Sequence, residues 1–393
     1  MNYDFTTLRP RIAVGSSKWG AMQKLRQGLP PEVIPLSVAD MEFVNPPEIA
    51  EHLSHYLETM ILGYTQPTDS YYAALSDWMA RRHNWKIDRE WVVPSPGVVP
   101  ALCHMVQAYT EPGDKVIVFP PVYYPFYSAI RENGRQVLEC PLLEKDGHYE
   151  MDFDRFAQVA EEGKVLLFSS PHNPVGRVWS REELEKLSAI CLEKGVLVLS
   201  DEIHFDLILG ERHHTVFATL SEAAAQNCVI CTAPSKTFNL AGLQTANIII
   251  PNKKLREKLL AVRNRLGIHG CNMLGYQACE TAYRECEDWL EQLLAVLREN
   301  RMLVETYARA FLPGVKPVEL EGTYLQWLDC RALGMDAKAL EKFMQEEALW
   351  FTDEGYIFGT GGEGFERINL ACPTWALRKA LDRLRDALQR RKV

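Results

Sequence analysis

Side chains that could do chemistry follow several short apolar runs of this 393-residue sequence, each in the turn directly after a run. The turns contain Gly97, Tyr123, Asn173, Asp201 and Lys236. Singly, each has an ordinary explanation: Asn-Pro-x-Gly is a common turn, an aspartate often caps a helix, and a lysine after a strand is usually solvated. Together they offer an amine, a carboxylate, an amide, an aromatic ring and a glycine that opens a helix, where a phosphate binds well.

An aromatic aldehyde cofactor that carries a phosphate needs that combination of groups. The lysine would join the aldehyde as a Schiff base, and the acid would pair with the pyridinium nitrogen to keep the electron sink charged. The amide, together with a hydroxyl or an imidazole, would hold the ring hydroxyl, and the aromatic side chain would stack on the ring. The sequence therefore predicts a covalently attached cofactor on Lys236.

The turns can meet only if the runs before them form one sheet. The runs are short, β-branched and bounded by Gly, Pro, Asn or Asp, which predicts buried strands at 91–93, 115–119, 137–140, 165–168, 196–199, 228–232 and 247–250. Between two of them, Ser180 to Glu183 reads as a capping box and Gly195 as a helix stop. This βαβ unit predicts parallel strands, whose carboxyl ends share one edge of the sheet, where α/β proteins bind ligands.

After about residue 270 the pattern changes to a long helical stretch from Leu274 towards Phe311, followed by a shorter strand and helix mixture. It comprises a strand at 323–328, a helix around 336–347, strands near 350–358 and 365–370, and a last helix from Thr374. The fold class is α/β, with a smaller α+β domain. We expect residues 1–45 to pack as an N-terminal segment on the small domain, residues 46–285 to form the large cofactor-binding domain, and residues 286–393 the small domain.

Composition excludes several other classes of protein. Lys and Arg number 43 against 52 Asp and Glu, which gives a net charge of −9, and hydrophobic residues make up 47%. Nucleic acid as the main partner is disfavoured, because phosphate binding needs a basic face. No run approaches the ~18 apolar residues of a membrane helix, and the first residues lack a signal-peptide pattern. Ten scattered cysteines suggest reduced thiols, so we expect a cytoplasmic protein without membrane association.

Three segments, in their order and spacing, resemble the class I/II aminotransferases of fold type I, which use pyridoxal 5′-phosphate (PLP). They are Asn173-Pro-Val-Gly, Ser200-Asp-Glu-Ile-His and Ser235-Lys-Thr-Phe-Asn-Leu-Ala-Gly-Leu. The likeness extends to Glu366-Arg-Ile-Asn-Leu-Ala near the end of the chain. Val38-Ala-Asp-Met-Glu-Phe, Asp201-Glu-Ile-His and Ala233-Pro-Ser-Lys-Thr-Phe resemble the MalY/PatB-type carbon–sulfur lyases within that family.

The resemblance implies a role for each matching residue. Lys236 would be the Schiff-base lysine and proton shuttle, Asp201 the partner of the ring nitrogen, and Arg367 the ligand of the substrate carboxylate. The remaining implied contacts are Asn173 and His204 near the ring hydroxyl, Tyr123 stacked on the ring, Gly97, Val98, Thr232 and Ser235 at the phosphate, Ala39 at the substrate, and Tyr64 from the neighbouring subunit of a homodimer. The family's transaminases usually have an arginine eight residues after the lysine, where this chain has Gln244.

The implied reaction is β-elimination on a small sulfur-containing amino acid such as cystathionine, giving a thiol, pyruvate and ammonia. Two alternatives stay open at this point. An aminotransferase would use the same lysine and acid but return the proton to the cofactor. A regulatory protein that keeps the fold and acts by binding is the alternative from another class, although the intact lysine, acid, amide and arginine disfavour it.

Three further motifs have simpler explanations than the ligand sites they suggest. Gly359-Thr-Gly-Gly-Glu-Gly matches a dinucleotide fingerprint but leads into a strand, so we interpret it as a loop beside the substrate. Cys228 and Cys231 lie in one predicted strand and would point to opposite faces. His213-His214 has no accompanying ligand cluster, which predicts a surface turn. We therefore expect no metal site.

Overall fold

The apolar runs form strands, and seven of them lie side by side in one sheet. In the computed structural model, which describes residues 2–391, the strands are β1 (Val92–Ser95), β2 (Lys115–Val118), β3 (Gln136–Glu139), β4 (Leu143–Lys145), β5 (His148–Glu150), β6 (Gly163–Ser169), β7 (Leu197–Asp201), β8 (Cys228–Thr232), β9 (Ala246–Ile249), β10 (Lys316–Pro317), β11 (Leu325–Asp329), β12 (Asp353–Glu354) and β13 (Phe365–Asn369). The large sheet has the order β1-β9-β8-β7-β6-β2-β3. Only β9 runs antiparallel to its neighbours in this sheet. The predicted seven strands and their parallel pairing are confirmed, except at β9.

α-Helices pack against this sheet and make up much of the rest of the fold. They are α1 (Ser17–Leu25), α2 (Pro47–Thr59), α3 (Asp69–His83), α4 (Val98–Tyr109), α5 (Pro125–Arg131), α6 (Phe153–Val159), α7 (Arg181–Lys194), α8 (Glu222–Gln226), α9 (Pro234–Thr237), α10 (Lys253–Arg265), α11 (Met273–Glu285), α12 (Glu287–Phe311), α13 (Ala337–Lys342) and α14 (Thr374–Arg391). Helices α4 and α7, for example, pack against the large sheet. Strand β2 has buried apolar side chains on both faces: Val116 and Val118 belong to one buried cluster and Ile117 to another. Successive side chains point to opposite faces, so a continuous apolar run fits a strand covered on both sides.

The βαβ unit around α7 forms as its sequence predicts. The Ser180 hydroxyl accepts the backbone N–H of Glu183, whose carboxylate in turn accepts the backbone N–H of Ser180. The helix ends at Gly195, which has the left-handed φ of +69°. Strands β6 and β7 pair in parallel from Val165 to Ser169, so the turns after both strands open at the same edge of the sheet.

The C-terminal part forms a second, smaller layer of helices on an antiparallel sheet with the order β10-β11-β13-β12. The predicted long helix is wrong in one respect, because it divides into α11 and α12 at Cys286, whose ψ of +17° breaks the helical path. The predicted strand near 350–358 shortens to β12, since Gly355 lies against the backbone of Gly362 and the chain turns there. The domain boundaries at 45/46 and 285/286 stay a prediction.

Residues 36–43, which we call the strap, pass between the two layers without regular secondary structure. Backbone hydrogen bonds tie the strap to the small sheet: the Leu36 N–H donates to the Phe351 carbonyl, and the Glu42 N–H donates to the Ala371 carbonyl. On the other side, Asn239 Oδ1 accepts the Met41 N–H at 2.9 Å. Within residues 2–391, no helix is long and apolar enough to span a membrane.

Candidate active site

One cleft collects the turns that follow the strands of the large sheet. Asp201 ends β7, Asn173 follows β6, and Lys236 lies in the short helix α9 after β8. These three side chains share the cleft with Ala39, Pro96, Gly97, Val98, Val99, Pro100, Tyr123, Ser169, Ile203, His204, Ser235, Ala241, Gln244 and Thr245. The structure thus brings together most of the residues that the sequence proposed, from segments up to about 200 positions apart, at the edge where parallel strands end.

Lys236 projects from α9 towards the strap. Its Nζ donates a hydrogen bond to the carbonyl oxygen of Ala39 at 2.6 Å. Burial of the amine lowers the pKa of Lys236 to about 8, and the positive charge of Arg367 acts in the same direction, while Asp40 and Asp201 oppose the change. A buried amine with a lowered pKa is neutral often enough at physiological pH to act as a nucleophile and as a base.

Asp201 is 5% exposed. Its Oδ1 accepts a long hydrogen bond of 3.3 Å from the Ile203 N–H. Burial raises the pKa of Asp201 to about 7, although the Ile203 N–H and the nearby Lys236 favour its charged form. A buried carboxyl with so few partners has capacity to bind a cationic N–H, which would restore its negative charge.

Asn173 and His204 both line the cleft and have unused hydrogen-bonding capacity. The Oδ1 atom of Asn173 accepts a hydrogen bond from Arg367 Nη1 at 2.8 Å, which leaves the amide nitrogen free to donate. The Nδ1 atom of His204 is buried and has no hydrogen-bond partner among the described residues. Burial, and then the positive charges of Lys236 and Arg367, hold the pKa of His204 well below its usual value. A neutral imidazole with an unpaired nitrogen is a ready hydrogen-bond partner for a ligand.

Arg367 is 1% exposed, lies in β13 and contacts Asn173, one of the residues that line the cleft. Its Nη2 donates to Asp353 Oδ2 at 2.5 Å, and its Cζ atom lies 4.8 Å from the ring centre of Phe358. The guanidinium is thereby fixed, and its Nε atom has no partner within residues 2–391. A held guanidinium with a free N–H is suited to bind a planar carboxylate.

The part of the cleft formed by Gly97 and the start of α4 has the features of an anion site. Gly97 precedes α4 with φ of +115°, a conformation that side-chain-bearing residues rarely adopt, and the first turn of α4 borders the cleft. Ser235 and Gln244 border the cleft as well. Thr232 does not: it is buried in β8, and its hydroxyl donates to the Asn247 carbonyl at 3.3 Å.

Tyr64 lies outside the cleft of its own chain. It is fully exposed in the irregular segment between α2 and α3, next to exposed Met60, Ile61 and Leu62. Whether Tyr64 enters the cleft of a second copy stays a prediction.

Sequence reasoning missed two residues that organise this site. Asp353 holds Arg367, and the Tyr324 hydroxyl donates to the Ala39 carbonyl at 2.9 Å. Both come from short strands or strand ends of the small sheet, where neither residue type nor spacing marks them. The sequence marks only the residues that they contact, because Arg367 and Ala39 of the strap belong to motifs that resemble a known family.

The motifs with simpler explanations resolve as follows. The loop from Gly359 to Gly364 leads into β13, which is not the context of a dinucleotide fingerprint. Cys228 and Cys231 are buried in β8 without a disulfide. The surface turn predicted for His213-His214 is wrong for His214, whose Nε2 lies 2.7 Å from buried Glu202, because that carboxylate needs a polar partner. Among residues 2–391, no group of three or more His, Cys, Asp or Glu could hold a metal ion.

Comparison with known proteins assigns the family. The family model "Aminotransferase class I and II" matches residues 31–384. The chain belongs to this family. Its curated relatives include cystathionine beta-lyase PatB of Bacillus subtilis, 43% identical over 390 residues that cover 99% of this chain and 100% of the relative. Protein MalY of Escherichia coli is 32% identical over 98% of this chain and 99% of the relative.

Solved structures of this aminotransferase family agree with the fold. Cystalysin from Treponema denticola, which contains a PLP cofactor, is 48% identical and superposes with a TM-score of 0.98 over 99% of this chain and 100% of its own. The PLP-bound carbon–sulfur lyase from Staphylococcus hominis is 30% identical, with a TM-score of 0.90 over 99% and 98% of the two chains. The predicted fold type I architecture and the resemblance to the MalY/PatB branch are confirmed.

Proposed function

We propose that this protein is a PLP-dependent carbon–sulfur β-lyase. Its substrate is a sulfur-containing amino acid such as cystathionine, and its products are a thiol, pyruvate and ammonia. The observation that carries the proposal is the cleft lined by Lys236, Asp201 and Asn173, with Arg367 hydrogen-bonded to Asn173. It lies in a chain that aligns over almost its whole length with a cystathionine beta-lyase at 43% identity.

The residues of the cleft fit PLP at each part of the molecule. Asp201, buried and nearly unpartnered, matches a protonated pyridine nitrogen, and the orphan Nδ1 of His204 matches the ring hydroxyl. The glycine-opened N-terminus of α4 matches the phosphate. The residues that would hold the cofactor are Lys236 by a covalent bond, Asp201, Asn173, His204 and Tyr123 around the ring, and Gly97, Val98 and Ser235 at the phosphate. Thr232, the other residue expected at the phosphate, does not border the cleft, and its hydroxyl bonds to the Asn247 carbonyl instead.

When bound, PLP supplies an electron sink that makes the Cα–H bond of an attached amino acid acidic. The protein supplies the rest of the reaction. Arg367 binds the substrate carboxylate and fixes the orientation of the Cα–H bond, since its guanidinium is held by Asn173 and Asp353. Lys236, once its Nζ is free, takes the Cα proton. Asp201, in its charged form, stabilises positive charge on the ring nitrogen.

Removal of the Cα proton leads to cleavage of the Cβ–S bond. After Lys236 takes the Cα proton, the electron pair released at Cα forms a double bond to Cβ, and the Cβ–S bond breaks with departure of a thiolate. Water then hydrolyses the unsaturated product to pyruvate and ammonia. The net reaction consumes one water and needs no oxidant and no second substrate.

An aminotransferase is the second candidate, because the family includes such enzymes: the chain is 26% identical over 397 residues to arginine–pyruvate transaminase of Pseudomonas aeruginosa. Product analysis separates the two. The holoenzyme is incubated with cystathionine, with and without a keto acid. Pyruvate, ammonia and thiol in equal amounts without keto acid support the lyase, whereas turnover only with keto acid supports the aminotransferase. Lys236→Ala should abolish the products, and the exposed control Lys164→Ala should retain them.

We propose further that the enzyme is a homodimer with shared sites. Tyr64 and its apolar neighbours Met60, Ile61 and Leu62 are exposed on a single chain, which is typical of a surface that a second copy covers. Tyr64 would then complete the phosphate end of the partner's cleft. Location in the cytoplasm and the absence of nucleic-acid and membrane partners stay predictions.

A further inference from the structure

The strap contains a residue in an unfavourable backbone conformation. Val38 has φ of +59°, in the left-handed region that β-branched side chains disfavour. Such conformations persist only where the surroundings hold them, and they cluster at functional sites. The hydrogen bonds that hold this one are therefore informative about function.

Two side chains of the small sheet hold the backbone of residues 38–40, which we call the Val38 turn. Asp353 Oδ2 accepts the Val38 N–H at 2.9 Å. The Asn369 amide donates from Nδ2 to the carbonyls of Val38 at 2.8 Å and Asp40 at 2.7 Å. Since the carbonyls of Val38 and Asp40 are both turned to Asn369, the carbonyl between them is left to face elsewhere.

That remaining carbonyl, of Ala39, faces the cleft. It accepts hydrogen bonds from Lys236 Nζ at 2.6 Å and from the Tyr324 hydroxyl at 2.9 Å. A neutral amine that donates one hydrogen to Ala39 keeps its lone pair for accepting a proton. The Val38 turn thus sets the orientation of Lys236 whenever its amine is free.

Asp353 connects this turn to the other end of the substrate. The Oδ2 atom that accepts the Val38 N–H also accepts Nη2 of Arg367, and Asp353 stands directly opposite Arg367 in the β12–β13 pair. The Oδ2 atom of Asp353 therefore contacts both Arg367, which would bind the substrate carboxylate, and the backbone that orients Lys236. Its fixed position keeps the distance between these two functions constant.

We propose that Asp353 is a positioning residue, which fixes the position of Lys236 relative to Arg367 through the Val38 turn. The inference rests on the proposed function, since it takes Lys236 as the base and Arg367 as the carboxylate ligand. The proposal has a distinctive consequence. Removing Asp353 should lower kcat because the strained backbone of Val38 relaxes, so a change that removes the strain should reduce the loss of kcat. An ordinary structural ion pair between Asp353 and Arg367 would have no such dependence.

The test compares four variants of the holoenzyme with the wild type: Asp353→Asn, Val38→Gly, the double variant, and Glu354→Gln as the matched control. Glu354 is the neighbour of Asp353 on β12 and bonds to Gln345, so its replacement removes the same charge from the opposite side of the strand. Turnover of cystathionine gives kcat and KM, and thermal unfolding reports on the fold.

We expect Asp353→Asn to lower kcat at least tenfold, because Val38 relaxes and the Ala39 carbonyl turns away from Lys236. Glycine adopts φ of +59° without strain, so the double variant should have a kcat at least threefold higher than that of Asp353→Asn alone. Glu354→Gln should match the wild type. An unchanged kcat in Asp353→Asn, or a loss that Val38→Gly leaves as it is, would overturn the proposal. If Asp353→Asn does not fold, Asp353→Glu, which keeps the charge and displaces the oxygen, takes its place with the same expectations.

A second readout separates this proposal from the lyase assignment. The apoenzyme of each variant is mixed with PLP, and the rate of covalent attachment to Lys236 is followed by visible absorbance. Attachment needs the oriented amine and no sulfur substrate. A slower rate in Asp353→Asn that recovers in the double variant supports the proposal even if cystathionine is not cleaved. Equal rates in all variants contradict it, and a wild type that attaches no PLP contradicts both the proposal and the assigned function.

Discussion

Reattachment of PLP to the apoenzyme should follow the titration of Lys236. Burial lowers the pKa of this amine from 10.5 to about 8. At pH 7 a group with a pKa near 8 is neutral in about one molecule in ten, whereas an ordinary lysine is neutral in about one in three thousand. The difference corresponds to about 3 kcal/mol in favour of the reactive form. The attachment rate should therefore rise about tenfold from pH 6 to pH 7 and level off above about pH 8.

The charge of Arg367 offers a matched pair of variants for the same assay. Because this cation helps to lower the pKa of Lys236, Arg367→Gln should move the midpoint of the attachment rate to higher pH. Arg367→Lys keeps the charge and should leave the midpoint close to that of the wild type. The apoenzyme is mixed with PLP at a series of pH values, and attachment is followed by absorbance. A wild-type midpoint near that of a solvated lysine, or equal midpoints in the two variants, would refute the reasoning.

Three further predictions concern the other residues of the cleft. Asp201→Ala should lower kcat at least about a hundredfold, as for the loss of a group that stabilises developing charge, and near-normal turnover would exclude this role. Arg367→Lys should lower kcat/KM at least tenfold with the melting temperature and PLP absorbance unchanged, because a lysine lacks the two-pronged contact; lost stability with normal turnover would instead identify a scaffold residue. Mixing inactive Lys236→Ala with an inactive Tyr64 variant should regenerate activity in hybrid dimers, and no recovery after confirmed subunit exchange would place Tyr64 outside the partner's site.

The fold and the centre of the site could be predicted because local signals coincide there. Most strands of the large sheet are short apolar runs, and the residues that do chemistry follow these runs directly. Lys236, Asp201 and Asn173 are thus placed at one edge as soon as the strands are taken as parallel. The family resemblance adds Arg367, which lies in a strand with its own recognisable sequence.

The supports of the site could not be predicted, since they depend on contacts between distant segments. Asp353 lies in a strand of two residues, too short to show a period, and its partner Val38 is 315 positions away. The Val38 turn itself has no glycine or asparagine to mark a positive φ. Thr232 is a residue whose implied role depends on such a contact. The resemblance places its hydroxyl at the phosphate, but in the structure the hydroxyl donates to the Asn247 carbonyl.

Borohydride reduction of the holoenzyme tests the central claim most directly. Reduction fixes PLP irreversibly to the amine that carries it, and peptide mapping by mass spectrometry identifies that residue. The site described above predicts a single modified lysine, Lys236, with visible absorbance lost in proportion to its labelling. Modification of another lysine, or absorbance that disappears without any labelled peptide, would contradict the assignment of this cleft as the catalytic site.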